Sequence, residues 1–470
     1  MSQLREIAVP SHSFDRFTRL IGPERVGRFR AAGAALATAL AGRTIWNVTL
    51  EEAATGVAEL VRSLLPYVAE LGISTRWLVL DADSVSRRTA GHVRQGLQGF
   101  SLDDIALEPD DIASLEAAFA PAAKELATLV HRGDLVLLHD PGPALLAPAA
   151  LDTGAAVIWR CHANAGGWSE SAESAWSFLR PYVEPATRFV FSHRGFAPEW
   201  VPAERRAIIP PSIDASSVKN SFLGAATITD LLTASGLLCG SPDAVPPFVP
   251  PDGAAVIRHR ATSVSSEGPP PVHAPMVVQI TRWDPVKDMP GVLAGFASHV
   301  GHREAHLVLA GPDIHSDAAG PLAPAVFTQC VETWERLPHD VRTRIHLVQL
   351  PGSDVEESAM LVNALQRHAS VVVHKCLAGD WSAAIAEAML KARPVVASRV
   401  GGLCDQIHDG ETGLLVDPDD LPAFGAAIDQ LLGNHELADR LRIRAYTDAV
   451  DRFLTDRHLL RWATLASDIA

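Results

Sequence analysis

Arg282 and Lys287 stand five residues apart in Thr281-Arg282-Trp283-Asp284-Pro285-Val286-Lys287-Asp288, directly after the apolar run Met276–Ile280. Arginine offers a bidentate fork and lysine a point charge, so such a pair beyond a strand's carboxyl end suits a diphosphate. Taken alone, a solvated loop with surface charges accounts for the pair at least as well. Lys375 follows the apolar Val371–Val373 and adds a third cation, and Glu387 lies early in the amphipathic segment after it. A carboxylate there suits the two hydroxyls of a ribose. A surface glutamate favoured by the helix dipole reads the same way. Gly401 and Gly402 turn the chain after the next apolar run, Pro394–Ser398.

The first half offers His139-Asp140 after Leu135–Leu138, and Arg160-Cys161-His162 after Ala156–Trp159. Histidine and arginine at neighbouring strand ends suit hydroxyls or a phosphate, whereas a single satisfied core histidine would be unremarkable. His193-Arg194, after Phe189–Phe191, belongs to the same rim with a weaker claim. Gly56-Val57-Ala58-Glu59 opens a helix after a strand. A helix N-terminus with an approachable backbone suits an anion or a sugar, although one glycine is a weak signal. There is no Ser/His/Asp order, no Walker loop and no metal-spaced cluster, so nothing in the sequence demands a metal or a bound cofactor.

These residues need elements to hold them. Apolar runs at Arg43–Val48, Arg76–Leu80, Leu135–Leu138, Ala156–Trp159, Phe189–Phe191 and Ala207–Ile209 alternate with helical segments. A second series runs through Met276–Ile280, His306–Ala310, Ile345–Leu350, Val371–Val373 and Pro394–Ser398. Continuous apolar strands between helices predict α/β architecture with parallel sheets covered on both faces. In such sheets ligands lie outside the carboxyl ends of the strands. With 470 residues, two domains are expected. Residues 1–240 form the first, with a helical arm around Phe17–Ala41 at its start; 241–275 is a proline-rich connection; 276–445 is the second; and 446–470 is a helix returning to the first.

A net charge of −15 argues against nucleic acid or an anionic membrane as partner. Five scattered cysteines read as thiols in a reducing compartment. The N-terminus lacks a signal-peptide pattern and the early apolar run Ala31–Ala41 is too short to span a bilayer, so a cytoplasmic protein is expected.

The second half, through RWDPVKDMPGV, LVLAGP, the AEAM helix, RPVVAS, VGG and DGETGLLVDPDD, resembles the nucleotide-binding lobe of glycosyltransferase family 4, of GT-B fold. IWNV, GVAE, SLLPY, RWLVLD, HDP, VIWRCH and IPPSID resemble its trehalose-forming subgroup, the trehalose synthases and phosphorylases. The resemblance implies two Rossmann-like lobes facing a cleft and a retaining, metal-independent transfer from a nucleoside diphosphate sugar. It implies that Arg282 and Lys287 hold and stabilise the leaving diphosphate and that Glu387 holds the ribose. Lys375, Gly379, Asp380, Trp381, Ser382, Gly401 and Gly402 would approach the donor. His139 would face the reacting carbon, with Gly56, Glu59, Asp140, Arg160, His162 and Asn164 around the sugar and acceptor.

The sequence also departs from that pattern. The family's Glu-x7-Glu motif would place its first glutamate, which grips the donor sugar, at Gly379, with Asp380 one residue along. A triple glycine expected before Val57 reads Ala54-Thr55-Gly56, Gln-Thr-Ala reads Gly142-Pro143-Ala144, and Ile-Gly reads Ala163-Asn164. The favoured expectation is therefore a changed donor sugar or a non-sugar acceptor, such as a thiol in lincosamide-like antibiotic biosynthesis. One alternative is trehalose formation from a nucleoside diphosphate glucose and glucose. The other is a catalytically silent nucleotide-sugar-binding protein. The partners expected are a nucleotide sugar and a small-molecule acceptor, with a homodimer left open.

Overall fold

The computed structural model describes residues 3–52, 56–99, 109–163, 169–240, 259–301, 304–316, 319–320, 322–352, 354–379 and 381–469. Among the sequence features named above, Ala54-Thr55, Asn164, residues 241–258 and Asp380 lie outside them.

The chain divides into two compact units. The first comprises Met1–Ile213, Ala378–Trp381 and Phe453–Ala470, and the second Asp214–Leu377 and Ser382–Arg452. The sequence division at 240 therefore moves to 213. Residues 214–240 join the second unit because the helix Ala225–Ala234 packs on the helix Val355–His368 and Asn363 donates to the carbonyls of Val218 and Ser221. Likewise the returning segment begins at Phe453 rather than 446, since the helix His435–Arg452 stays with the second unit.

In the first unit the strands are β1 (Leu4–Ile7), β2 (Ile45–Thr49), β3 (Thr75–Leu80), β4 (Leu135–His139), β5 (Ala156–Cys161), β6 (Arg188–Phe191) and β7 (Arg206–Ile208). Their order across the sheet is β1-β3-β2-β4-β5-β6-β7, all parallel except β1 against β3. Alternating side chains separate the two faces. Trp46, Val48, Val136, Leu138, Val157 and Trp159 enter one core cluster, and Leu135, Leu137 and Ile158 another with Leu36 and Leu465. The terminal helix Thr455–Ser467 reaches that second face by packing on the helix Pro23–Ala39, where buried Arg25 binds Asp456 through two hydrogen bonds.

The second unit holds β8 (Thr262–Val264), β9 (Met276–Ile280), β10 (His306–Pro312), β11 (Ile345–Leu350), β12 (Val371–His374), β13 (Val395–Ser398) and β14 (Leu414–Val416). The order is β14-β13-β12-β9-β10-β11-β8, again parallel except one edge, β8 against β11. Every strand read from the sequence is present. The three that sequence reading passed over, β1, β8 and β14, are edge strands of three or four residues; β1 and β8 lack a continuous apolar run, and β14 is only Leu-Leu-Val. β8 also corrects the proline-rich connection, whose later part belongs to the second sheet.

Each sheet has one place where consecutive connections leave a strand in opposite directions. In the first unit it lies between β2 and β4, in the second between β9 and β12. Connections diverging there open a crevice at the carboxyl ends.

Candidate functional site

At the second unit's switch point, Arg282 and Lys287 lie in the loop after β9. Arg282 is 41% exposed and 3.4 Å from Asp284, while Lys287 ends the short 3-10 turn Pro285–Lys287. The loop is held from inside. Trp283 is buried and donates to the Pro312 carbonyl at 3.0 Å, and a Cβ at Gly311 would lie 2.5 Å from that indole nitrogen. Gly311, next to last in β10, thus leaves room for the tryptophan. Buried Gln279 donates to the Lys287 carbonyl at 2.7 Å and accepts from the Lys375 amide at 2.8 Å. One side chain on β9 so ties together the loops after β9 and β12. Nothing in its neighbours' types or spacing singles it out in the sequence.

Lys375 is not a third cation facing outward. It is buried and ion-paired with Asp288, whose other oxygen accepts the Gly291 amide at the N-terminus of the helix Met289–His299. Asp288 adopts the left-handed conformation, and a Cβ at residue 291 would fall 2.0 Å from its carboxylate, so Asp-Met-Pro-Gly is a local structural solution. The Lys287 charge reaches His374, and burial together with that charge holds this imidazole neutral well below its usual range.

Glu387 corrects the sequence reading in another way. The helix it occupies is Ala383–Leu390, which places it mid-helix, and it is 2% exposed rather than a surface residue. Its carboxylate lies 3.4 Å from the Lys219 ammonium and accepts from Gln366 at 3.4 Å. Lys391, one turn on, donates to Gln366 and Asn220. Ser382 caps the same helix and exchanges two hydrogen bonds with Gln406, which uses its backbone groups and hydroxyl locally. Gly401 and Gly402 make the turn from β13 into the short helix Leu403–Gln406. Gly379 and Trp381 belong to the Ala378–Trp381 stretch of the first unit, where Trp381 is buried edge-on to Phe453.

At the first unit's switch point, His139, Arg160 and His162 form one hydrogen-bonded chain. The Arg160 Nε–H donates to His162 Nδ1 at 3.4 Å, so His162 carries its proton on Nε2 and donates to His139 Nδ1 at 3.0 Å. His139 Nε2–H then donates to the side-chain amide oxygen Oδ1 of Asn47 at 3.3 Å. The chain is satisfied only with both imidazoles neutral. Burial first, then the Arg160 charge, holds His139 down to about 3 and His162 well below its usual range. Both ring nitrogens of His139 are thus engaged within this chain.

Asp140 follows at φ 64°, ψ −175°, a region nearly exclusive to glycine that costs about 1–3 kcal/mol. It is fixed by its amide to the Arg160 carbonyl at 2.9 Å, by Trp159 Nε1 to its own carbonyl at 3.1 Å, and by the His162 amide to its carboxylate at 2.7 Å. Asn47 completes the chain and was missed because an asparagine inside a strand carries no signal of its own. Gly56 begins the helix Gly56–Glu70, with Gly56 and Glu59 both exposed on its first turn. His193 caps the turn Arg194–Phe196 through its own ring nitrogen at 3.0 Å, a local structural use.

No described helix is long and apolar enough to cross a membrane. The family model for the trehalose synthase N-terminal domain matches residues 48–198, and that for glycosyl transferases group 1 matches residues 274–434. A trehalose synthase of Rubrobacter xylanophilus is 28% identical over 438 residues, covering 90% of each chain. One of Pyrococcus horikoshii is 25% identical over 477 residues, covering 100% of this chain and 99% of its own. In fold, a UDP-forming α,α-trehalose-phosphate synthase from Burkholderia vietnamiensis superposes with a TM-score of 0.66 at 14% identity, covering 91% of this chain and 96% of its own. These matches name trehalose-forming enzymes and lend no support to a lincosamide setting or a thiol acceptor. The chain has the two-lobe GT-B fold and is a glycosyltransferase, with residues 48–198 matching the trehalose synthase N-terminal domain.

Proposed function

We propose that this glycosyltransferase moves a sugar from a nucleoside diphosphate to the hydroxyl of a small acceptor, as its trehalose synthase relatives suggest, with glucose as the first acceptor to test. The observation that carries the reading is the pair Arg282 and Lys287 at the second switch point, in a loop fixed from beneath by Gln279 and Trp283. As the bond from the anomeric carbon to the diphosphate oxygen breaks, negative charge grows on that oxygen, and two positioned cations lower its energy. Glu387 takes the ribose hydroxyls in exchange for the Lys219 ammonium, which is 21% exposed and reaches it at only 3.4 Å. On this reading Asp140 and the His139 backbone address the sugar, Arg160 and His162 orient them, and Gly56 and Glu59 serve the acceptor. The anomeric configuration is retained, and the charge on the leaving group is met by protein cations without a metal or other cofactor.

A second reading concerns which sugar is moved. Gly379 presents no carboxylate where the family pattern expects one to grip the donor, which favours a donor other than glucose.

Thermal shift against UDP, GDP, ADP and their sugars tests the first reading. A ligand at about 100 times its dissociation constant adds roughly 2.7 kcal/mol, a resolvable shift. The expected result is stabilisation by one nucleotide, lost in Arg282→Ala, followed by trehalose formation when the matching sugar nucleotide and glucose are supplied. No shift with any nucleotide would refute the donor site. A nucleotide shift without trehalose, but with turnover of another donor, would select the second reading.

A further inference from the structure

We infer that Lys219 is an internal competitor of the nucleotide, one that limits how tightly the nucleoside diphosphate is held and speeds its departure. Its ammonium pairs with Glu387 in the empty site, yields that carboxylate to the ribose, and returns to it as the product leaves. This role rests on the reading that Glu387 takes a ribose, and makes Lys219 a positioning residue that acts through Glu387. All the residues concerned belong to the second unit.

A carboxylate as buried as Glu387 is costly without a counter-charge or hydrogen-bond donors. Lys219 meets that need loosely. Its Nζ stands 3.4 Å from Glu387 Oε1, and its side chain is 21% exposed, so the ammonium reaches water without crossing the core. The bond from Gln366 to the other oxygen is equally long, at 3.4 Å. The backbone that carries Lys219, by contrast, is held independently of the ion pair. Asn363 donates to the carbonyls of Val218 and Ser221 at 2.8 and 2.9 Å, and Arg367 to those of Asn220 and Ser221 at 3.0 Å. The Asn220 side chain accepts from Lys391 at 2.8 Å and donates to the Asp214 carbonyl at 3.0 Å. Lys219 is therefore a long side chain on a fixed base, able to swing while its Cα stays in place. Lys391, the other lysine here, is 3% exposed and clamped between Asn220 and Gln366, so it stays put when a ligand arrives. With Lys219 in the empty site and ribose hydroxyls in the filled one, the carboxylate has a partner in both states. Part of the ribose's binding energy then goes into expelling the ammonium.

The test titrates UDP, GDP and ADP into the full chain by calorimetry, with inorganic pyrophosphate as a ribose-free control, and carries the nucleotide that binds into the variants. Lys219→Met is expected to bind it about three- to tenfold more tightly, through slower dissociation, while the Tm of the empty protein falls. A merely structural residue would lower both affinity and Tm. Pyrophosphate should gain nothing. In a Glu387→Gln background Lys219→Met should leave nucleotide affinity unchanged, since a neutral amide needs no counter-charge. Lys219→Gln, polar but uncharged, should shift affinity in the same direction and decides the matter if Lys219→Met does not fold. Nucleotide affinity unchanged or weakened in the Lys219 variants, or an equal gain for pyrophosphate, would overturn the role of Lys219 and leave the donor site standing. Failure of every nucleotide to bind the unaltered chain would refute the donor site itself, and its competitor with it.

Discussion

The two switch points occupy equivalent places in two similar sheets and are built on opposite principles. In the second unit the chain leaves β9 with cations in a partly exposed loop and spends buried groups, Gln279, Trp283 and the Lys375–Asp288 pair, on holding that loop still. In the first unit the charge is buried at Arg160, and its influence ends in neutral imidazoles and an asparagine. Exposed, positioned cations suit an anionic ligand arriving from water, whereas a closed neutral chain suits the orientation of uncharged groups. Both contain an aspartate in an unusual backbone conformation, Asp140 and Asp288, made tolerable by bonds to its own carboxylate. The difference teaches that partly solvated charge at these strand ends stays available to a partner from water, whereas buried charge there orders the groups around it.

The sharpest way to break the contrast is to remove both cations. Arg282→Ala with Lys287→Ala should weaken binding of the preferred nucleotide by about 3–6 kcal/mol, with little change in Tm, since each charge-assisted contact is worth about 1.5–3 kcal/mol. Retained binding by calorimetry would move the donor site elsewhere.

The first unit's chain predicts an acid limit. His139 titrates at about 3 in the fold against an ordinary 6.5, so between these values the unfolded chain binds more protons. Stability is therefore full above pH 6.5 and falls steadily as the pH drops towards 3, with His162, His458 and His374 acting in the same direction. Guanidinium midpoints from pH 7 to pH 4 measure it, and a flat profile would show that the imidazoles are not held neutral.

Gln279→Ala should cost about 1–3 kcal/mol of stability by leaving the Lys287 carbonyl and Lys375 amide unmatched. If Gln279 positions the cations, nucleotide affinity falls with it. An affinity unchanged beside a lowered Tm would limit Gln279 to structure.

Gly379→Glu is expected to have the smallest effect, a shift of less than about 1.4 kcal/mol (tenfold) in preference between sugar nucleotides while UDP itself binds as before. Altered UDP affinity would mean that residue 379 does not address the sugar.

The central strands of both sheets were legible because parallel strands buried on both faces need unbroken apolar runs, as in Leu135–Leu138 and Val371–Val373. Arg282 and Lys287 were legible for the same reason: they follow such a run, and a strand's carboxyl end has a fixed place in an α/β sheet. Short edge strands have no such requirement, so β1 and β8 left no trace, and β14 is apolar but only three residues long. The boundary at 213 depends on where Asn363 finds its carbonyl partners, which hydropathy does not encode.

By itself, then, the sequence determined the α/β class, the central strands and the family, through patterns that local burial imposes. Only the tertiary structure decided that Lys375 faces Asp288, that Glu387 is buried beside Lys219, and that His139 has no free ring nitrogen. A side chain's identity fixes what it is able to bond, but its partner is whichever group the fold brings within about 3 Å, and for these residues those groups lie 23 to 168 positions away in the chain.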